Sequence, residues 1–441
     1  MPSDWRTSTV AELQRDGVLL VEDGNHGEYR PRPDEFGKDG VAFIRASDME
    51  DGRVLFESAE KINDRARERI TKGIGAPGDV LLSHKGTVGK VALAPQKAPP
   101  FVCSPQTTFW RTCDEQRIDR RYLYAFLRSP LFHAQLATRA GETDMAPYVS
   151  LTSQRGFSVI IPPISEQRAI AHILGTLDDK IEVNRQMAAT LGAMARALFK
   201  SWFVDFDPVR AKAEGRDPGL PSHLTALFPD RLVEVEKGEL PDGWEFKPLS
   251  QIADFLNGLA LQKYPANDLA DSLPVIKIAE LRNGITGKSD RASRDVPSRY
   301  IIRDGDFLFS WSGSLLAKFW TEGEGALNQH LFKVTSDRYP AWFFAEWVQH
   351  HLDEFQRIAS FKATTMGHIQ RSHLDAAMVC CPPDPVIAKI GRIIEPFVAR
   401  TLQIALESRI LTTLRDALLP KLISGDLRVK DAEEFLAERD L

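Results

Sequence analysis

This 441-residue sequence repeats itself at an offset of about 220 residues, and that constrains its fold more than any motif does. Ile161-Pro162-Pro163-Ile164-Ser165-Glu166-Gln167-Arg168 opens one long helical pattern, and Cys381-Pro382-Pro383-Asp384-Pro385-Val386-Ile387-Ala388 opens another. Upstream, Val41-Ala42-Phe43-Ile44-Arg45 is echoed by Leu273-Pro274-Val275-Ile276-Lys277, and Gly78-Asp79-Val80-Leu81-Leu82-Ser83 by Gly305-Asp306-Phe307-Leu308-Phe309-Ser310. Ser104-Pro105-Gln106 is echoed by Leu327-Asn328-Gln329. Two aromatic-rich helices, Arg121 to Ala137 and Ala341 to Ile358, then precede polar stretches running from Met145 to Ile161 and from Met366 to Cys381. Such a chain is two copies of one plan, a globule followed by a long helix. Spacings drift by several residues between copies, so the loops differ while the scaffold persists. Two similar surfaces with different loops suit a ligand carrying two different sites at a set distance, and duplex DNA is the commonest such ligand.

The length fits two domains plus connectors. A content of 43% hydrophobic and 27% charged residues is that of a soluble globular chain. No apolar run approaches the roughly 20 residues that span a bilayer, and Met1-Pro2-Ser3-Asp4-Trp5 lacks the layout of a signal peptide. The expected location is cytoplasmic, with no membrane partner. Cys103, Cys113, Cys380 and Cys381 have no zinc-site spacing, so buried thiols are expected and no metal site.

A net charge of −5 argues against a protein that grips DNA over its whole surface. Yet residues 60–97 hold eight Lys/Arg against four Asp/Glu, and the equivalent 277–318 hold eight against five. Residues 204–240 carry five positive against eight negative, and the tail 426–441 three against six. Basic character is local and duplicated. Solvated faces would account for the same counts.

From Ser165, an expected N-cap followed by Glu166, apolar residues recur at alternating steps of four and three: Ile170, Leu174, Leu177, Ile181, Asn184, Ala188, Leu191, Ala195, Leu198 and Trp202. That is a coiled-coil seam, with Asn184 as the polar member that often fixes register. The helix is expected to run to Phe203, roughly 58 Å. The second is expected to be capped by Asp384, with Pro385 in its first turn. Its seam reads Ile387, Ile390, Ile394, Phe397, Thr401, Ile404, Ser408, Leu411, Leu414 and Leu418, over roughly 50 Å. Pro420 and Gly425 should end it, and Pro396 should kink it near Arg392. Two such seams most simply bury each other as an antiparallel pair.

The apparent catalytic motifs do not hold. Lys85-Gly86-Thr87-Val88-Gly89-Lys90 has His84 where a phosphate loop needs glycine, and Val91 where it needs Ser/Thr. Asp230, Glu234 and Glu236 are cramped into a connector, and His350-His351 lacks the spacing of a zinc helix. No assembled active site is visible, so no catalytic residue, metal or cofactor is expected in this chain.

The run Pro162-Pro163-Ile164-Ser165-Glu166-Gln167-Arg168-Ala169-Ile170-Ala171, then Leu174-Gly175-Thr176-Leu177-Asp178-Asp179-Lys180-Ile181, then Leu198-Phe199-Lys200-Ser201-Trp202-Phe203-Val204-Asp205-Phe206, closely resembles the central region of type I restriction–modification specificity subunits. Leu240-Pro241-Asp242-Gly243-Trp244 is similar to that family's start of the second target-recognition domain, with Trp5 as its counterpart in the first. Leu419-Pro420-Lys421-Leu422-Ile423-Ser424-Gly425 is similar to its C-terminal helix end. The resemblance spans essentially the whole chain and departs at Asp384-Pro385-Val386-Ile387 and at Pro396.

It implies a mixed α+β (α/β) fold. Two target-recognition domains (1–163 and 240–383) are separated by a central helix (164–203), a Pro/Gly-rich linker (204–239), a second helix (384–425) and an acidic tail (426–441). Each domain would read one half of a bipartite double-stranded DNA site, with the helix pair setting the spacer. Two adenine-methyltransferase subunits and two motor/endonuclease subunits would be its partners, and S-adenosylmethionine, ATP and Mg²⁺ would belong to them. A self-contained methyltransferase or endonuclease, or a coiled-coil adaptor for proteins, are the competing functions. Base edges are best read by Arg, Lys, Asn and Gln. The basic loops therefore nominate Lys61, Asn63, Arg65, Arg67, Arg69, Lys85 and Lys90 in the first domain, and Arg282, Asn283, Lys288, Arg291, Arg294 and Arg299 in the second.

Overall fold

The computed structural model describes residues 2, 4–140, 147–361 and 367–429. Met145 and Met366, where the last matched stretches begin, and residues 430–441 of the acidic tail lie outside them. The chain divides into two compact units, one of Met1–Lys180 with Leu411–Leu441 and the other of Ile181–Ile410. Each takes a stretch of both long helices.

In the first unit, Val80–Lys85 lies between Thr107–Thr112 and Thr87–Leu93 in a six-stranded sheet that Leu19–Asp23 extends beyond Thr107–Thr112. Its apolar run Val80-Leu81-Leu82 is wholly buried, as a central strand covered on both faces requires. A second, five-stranded sheet is built around the parallel pair Val41–Ile44 and Phe101–Cys103. Arg6–Thr9 pairs antiparallel with Ser158–Ile161, which leads into the first long helix.

The second unit repeats this plan. Phe307–Ser310 lies between Leu331–Thr335 and Ala317–Phe319, with Asp254–Asn257 at the edge. Ser272–Ile276 runs parallel to Gly325–Leu327, and Glu245–Pro248 pairs with Met378–Cys381 before the last helix. Even a partly buried ion pair recurs. Asp79 accepts from Arg111 Nε at 2.7 Å, and Asp306 accepts from Lys333 at 2.7 Å. The aromatic helices differ, however. Ala341–Phe361 is one helix, whereas its counterpart is Arg120–Arg128 followed by Pro130–Ala140. Pro130 pushes Ser129 to an extended conformation (ψ 150°) and breaks the expected single helix.

The long helices are Ile164–Phe199 and Asp384–Ser424. They start at Ile164 and Asp384, so both expected caps, Ser165 and Asp384, lie inside the helices. The carbonyl of Pro163 accepts from the Glu166 and Gln167 amides, and that of Pro383 from Val386 and Ile387. Ser165 thus falls inside the first turn. Asp384 is helical, and its carboxylate accepts from Arg338 at 3.0 Å. The last helix continues through Pro396 and Pro420 without interruption and ends at Gly425, whose φ of +77° stops it. Pro396 is exposed, and its missing donor costs one bond rather than the helix. At 41 residues the helix is about 62 Å long, not 50 Å. The first α-helix stops short of Phe203 and passes into a π turn, Lys200–Val204. That turn sets the adjacent Trp202 and Phe203 both inward, with Phe199 stacked on Phe203 at 5.1 Å.

The expected seams are the buried faces. In the first unit Ile170, Leu174 and Leu177 are buried, as are Leu411 and Leu418, with Leu414 half-buried. Asp178 accepts from Arg415 at 2.9 Å and from Arg128, on Arg120–Arg128, at 2.8 Å. In the second unit Ala195, Phe199 and Trp202 share one core with Ile387, Ile390 and Ile394, against which Leu198 and Phe397 pack. There Ile404 and Asn184 are buried, Ile181 and Leu191 half-buried, and the Asn184 amide donates to Glu407 at 3.1 Å. Within this unit, rising numbers on one helix therefore meet falling numbers on the other, and the pair is antiparallel.

The stretch expected as a plain linker is folded. Asp207–Ala213 and Ser222–Thr225 are helical, and Leu232–Val235 pairs with Gly238–Pro241. Phe206, Val209, Phe228 and Trp244 join the aromatic core of the second unit. Among the cysteines Cys113 is exposed, against expectation, while Cys103, Cys380 and Cys381 are buried. His351 is a packing residue, bonded through Nε2 to the Met378 carbonyl at 3.0 Å. On the same helix Glu346 is half-buried, and burial pushes its carboxyl up to about 7 against the pull of Arg196. No helix among the described residues is long and apolar enough to cross a membrane.

Candidate nucleic-acid interface

The two units share a frame at one edge of their central sheets. In the first, the hairpin between Val80–Lys85 and Thr87–Leu93 turns at Gly86, whose φ is +77°. Its equivalent Gly313 has φ +63°. Only glycine takes this conformation without strain. The Gly86 amide donates to the Pro147 carbonyl at 2.9 Å, and Gly313 to Gly367 at 2.8 Å. Val149 donates to the His84 carbonyl at 2.9 Å, and Ile369 to Trp311 at 2.9 Å. His84 donates to the Gln106 carbonyl at 2.9 Å, and Trp311 to His330 at 3.3 Å, so Gln106 matches His330 and not Gln329, one residue on from the match expected from the sequence. Finally, Gly24 donates to Thr107 at 3.2 Å and Gly258 to Leu331 at 3.0 Å. Every link of the frame in one unit has its counterpart in the other.

Gly24 and Gly258 are required by proximity. A Cβ on Gly24 would lie 1.9 Å from the Cys103 carbonyl oxygen, and one on Gly258 2.3 Å from that of Asn328. Neither neighbour is a side chain that could swing away. Gly258→Ala should cost about 1–3 kcal/mol, the range for overpacking, and Gly24→Ala a similar amount. Urea unfolding of each variant checks this; a loss under about 0.5 kcal/mol would mean that the two backbones are not in contact.

On this common frame the side chains differ. The first unit carries Lys85, Gln106 and Tyr148, all exposed, with Lys85 Nζ 5.8 Å from the Tyr148 ring centre. Beneath them His84 is buried, and burial lowers its pKa. Its Nδ1 faces the Val149 carbonyl at 2.9 Å, so that nitrogen carries the proton and the ring holds the strand edge. At the equivalent places the second unit carries Ser312, His330 and His368, with half-buried Trp311 in place of His84. Ser312 Oγ lies 2.9 Å from His330 Nδ1, Trp311 Nε1 donates to Asn257 at 2.9 Å, and the Trp311 and His330 rings are 5.8 Å apart.

Of the nominated basic residues, Lys85 alone stands on this frame. Several others are held by their own unit. Arg69 clamps Glu35 with two bonds of 2.6 Å, holding that carboxyl down at about 2. Asn63 caps the helix Asp64–Arg69 through Ala66 N at 3.0 Å, and Arg67 reaches the Ile70 carbonyl at 3.3 Å. Lys90 donates to the Ala46 carbonyl at 3.0 Å. Arg291 bonds Ser272, through Oγ at 2.8 Å and the carbonyl at 2.6 Å, and Arg294 pairs with Glu324 and Asp271. Arg299 lies over the Tyr300 ring at 4.8 Å. Arg65, Arg282, Asn283 and Lys288 are exposed, and Lys61 is half-buried. Arg282 also borders a cavity of about 520 Å³ with Gly313 and Gln356. A search for basic loops passes over Gln106, Tyr148, Trp311 and His330. The signal that finds them is the pair of turn glycines, Gly86 and Gly313.

Two like α/β units, each with this frame and a share of an antiparallel helix pair, define a duplicated recognition protein. Residues 22–192 and 241–414 each match the family of the type I restriction modification DNA specificity domain. The chain therefore belongs to that family. It is 28% identical over 479 aligned positions to the type I restriction enzyme HindI specificity subunit of Haemophilus influenzae, covering 96% of this chain and 100% of that one. With the MjaIX specificity subunit of Methanocaldococcus jannaschii it shares 23% identity, covering 98% and 95%. A crystal structure of the type I restriction–modification S subunit from M. genitalium has the same fold, with a TM-score of 0.53 at 14% identity, covering 95% of this chain and 96% of that one.

Proposed function

We propose that this chain is the DNA-reading specificity subunit of a type I restriction–modification complex. Each unit reads one half of a bipartite site in double-stranded DNA. The helix pair sets the number of unread base pairs between the halves and carries the partner subunits. The observation that supports this best is one main-chain frame occurring twice with different side chains, which is what reading two unlike half-sites needs. Family membership and end-to-end similarity to specificity subunits support the same function. Half-sites about one helical turn, ~34 Å, apart can be met from one face of the duplex, a span within reach of helices about 54 and 62 Å long.

Chemistry on this reading belongs to the partners, two methyltransferase subunits and, in the full complex, two motor/endonuclease subunits. S-adenosylmethionine, ATP and Mg²⁺ are theirs, and the partners also supply much of the positive charge that phosphate binding needs. The division into recognition domains 1–163 and 240–383 with helices 164–203 and 384–425 is part of the same proposal. So is action in the cytoplasm, where the DNA is. The test is to co-purify the chain with its methyltransferase subunits and map methylated adenines across a genome. A bipartite motif that disappears when this chain is omitted is expected. Methylation with no motif, or turnover by the chain alone, would overturn the proposal.

A further inference from the structure

We infer that base choice in each half-site is made by the side chains standing on the duplicated frame. They are Lys85, Gln106 and Tyr148 in the first unit, and Trp311, Gln329 and His330 in the second. This rests on the DNA-reading function proposed above and names the residues that carry it.

Three observations converge. A cation that reads bases must be held in place yet keep its charged end uncommitted, and an amide must keep a donor or acceptor to spare. Lys85 and Gln106 meet both conditions. Their backbones are pinned by the links to Pro147, Tyr148 and His84, and neither side chain hydrogen-bonds to another described residue. Arg69, Arg291 and Arg294 fail the second condition, since their guanidinium groups are spent inside their own units.

The frame also holds its geometry while its chemistry changes. His84 becomes Trp311, Lys85 becomes Ser312, Pro105 becomes Gln329, and Gln106 becomes His330, each pair fixed by equivalent main-chain bonds or by its place in the turn. A purely structural edge would have no reason to exchange an ammonium for a hydroxyl or a proline for an amide.

Lastly, the two sets match different base edges. Lysine donates to guanine O6 and N7, and glutamine bonds adenine N6 and N7 in a bidentate pair. The first half-site should therefore contain a guanine read by Lys85 and an adenine read by Gln106. In the second set Trp311 Nε1 is held by Asn257 and the Gln329 carbonyl, and His330 Nδ1 by Ser312, so these two contribute rings rather than donors, beside the Gln329 amide, whose Nε2 lies 3.4 Å from His330 Nε2. Ring faces suit the thymine methyl and the amide suits adenine, so the second half-site should be rich in A·T pairs.

The experiment expresses the full chain with its partner subunits in a host lacking other adenine methylation, and maps methylated positions for each variant. Lys85→Ala and Gln106→Ala should each let methylation spread to sites differing at one position of one half, lowering discrimination there by about tenfold or more. The other half and the spacer should stay fixed. Gln106→Glu should move the preference at its position from adenine toward cytosine, whose amino group a carboxylate accepts. Gln329→Ala should relax only the opposite half. Arg65→Ala and Lys288→Ala should leave the motif intact. An unchanged motif in the frame variants would overturn the inference. So would a uniform fall in methylation with no change of motif, which marks a phosphate contact, or relaxation caused by Arg65→Ala or Lys288→Ala. Failure of the wild-type complex to give any bipartite motif is a separate result and sinks the function itself.

Discussion

Asp178→Ala should destabilise the first unit by about 2–4 kcal/mol, toward the low end of the range for breaking a buried ion pair. Asp178 takes one arginine from each side, Arg128 at 2.8 Å and Arg415 at 2.9 Å, and the three side chains are only 23, 18 and 14% exposed. Removing the carboxylate leaves two guanidinium groups facing each other without the charge between them, although Arg415 keeps its pair with Asp416. The same carboxylate ties the helix Arg120–Arg128 to the last long helix. The loss should therefore appear as reduced stability in urea and as weaker methylation at every site, without a change of motif. Replacing all three residues by apolar ones of similar size should restore most of the stability, because the pair's worth lies in mutual compensation. A loss under about 0.5 kcal/mol for Asp178→Ala would show that solvent screens the cluster as it does a surface pair.

Glu346→Gln should stabilise the second unit by about 2–3 kcal/mol at pH 8 and leave it unchanged at pH 4. The carboxyl lies raised to about 7 from an ordinary 4.5 because burial penalises its charge. A raised value means that the folded state holds its proton more tightly than the unfolded chain does. Stability from this group is full below about 4.5 and is lost as pH rises through about 7, at about 1.4 kcal/mol per pH unit between them. A glutamine removes the ionisation and hence the loss. His350 and His351 on the same helix push the other way, since burial lowers their pKa and favours the neutral ring as pH rises. The readout is thus the difference between variant and wild type across pH 4–8. A flat difference would mean that Glu346 ionises in the folded protein as it does in water.

The sequence carried the architecture because duplication leaves a mark that pattern-reading detects. Ile170 and Ile390, Leu174 and Ile394, Asn184 and Ile404, Leu191 and Leu411, and Leu198 and Leu418 keep one constant offset along the two helices, since insertion in a seam would turn every later side chain away from its partner. What misled was local. A proline carbonyl starts both long helices, so Ser165 and Asp384 looked like caps they are not. Pro420 looked like part of the helix end, yet the helix runs past it to Ser424, as it runs on through Pro396. Residues 204–239 looked like linker because proline and glycine are plentiful, while Phe206, Val209 and Phe228 bury themselves in a neighbouring core.

The edge inferred to read bases was the least legible part, for a geometric reason. Its members come from four separated segments, and their offsets differ: Gly24 matches Gly258, Gly86 matches Gly313, Gln106 matches His330, and Tyr148 matches His368. Insertions between the segments shift each match by a different amount. Charge counting nominates the loops around Lys61 to Arg69 and Arg282 to Arg299, where Arg69 and Arg291 are bonded within their own units. Main-chain pairing had to be seen before Gln106 and His330 could be recognised as occupants of one place.

That the links shared by the two frames run between peptide groups has an evolutionary consequence. None of its paired links depends on which side chain is present, glycines apart. Exposed positions such as Lys85 and Gln106 can therefore change without endangering folding, and on the inference above a lineage could change its DNA vocabulary one letter at a time. The two halves are also free to diverge from each other.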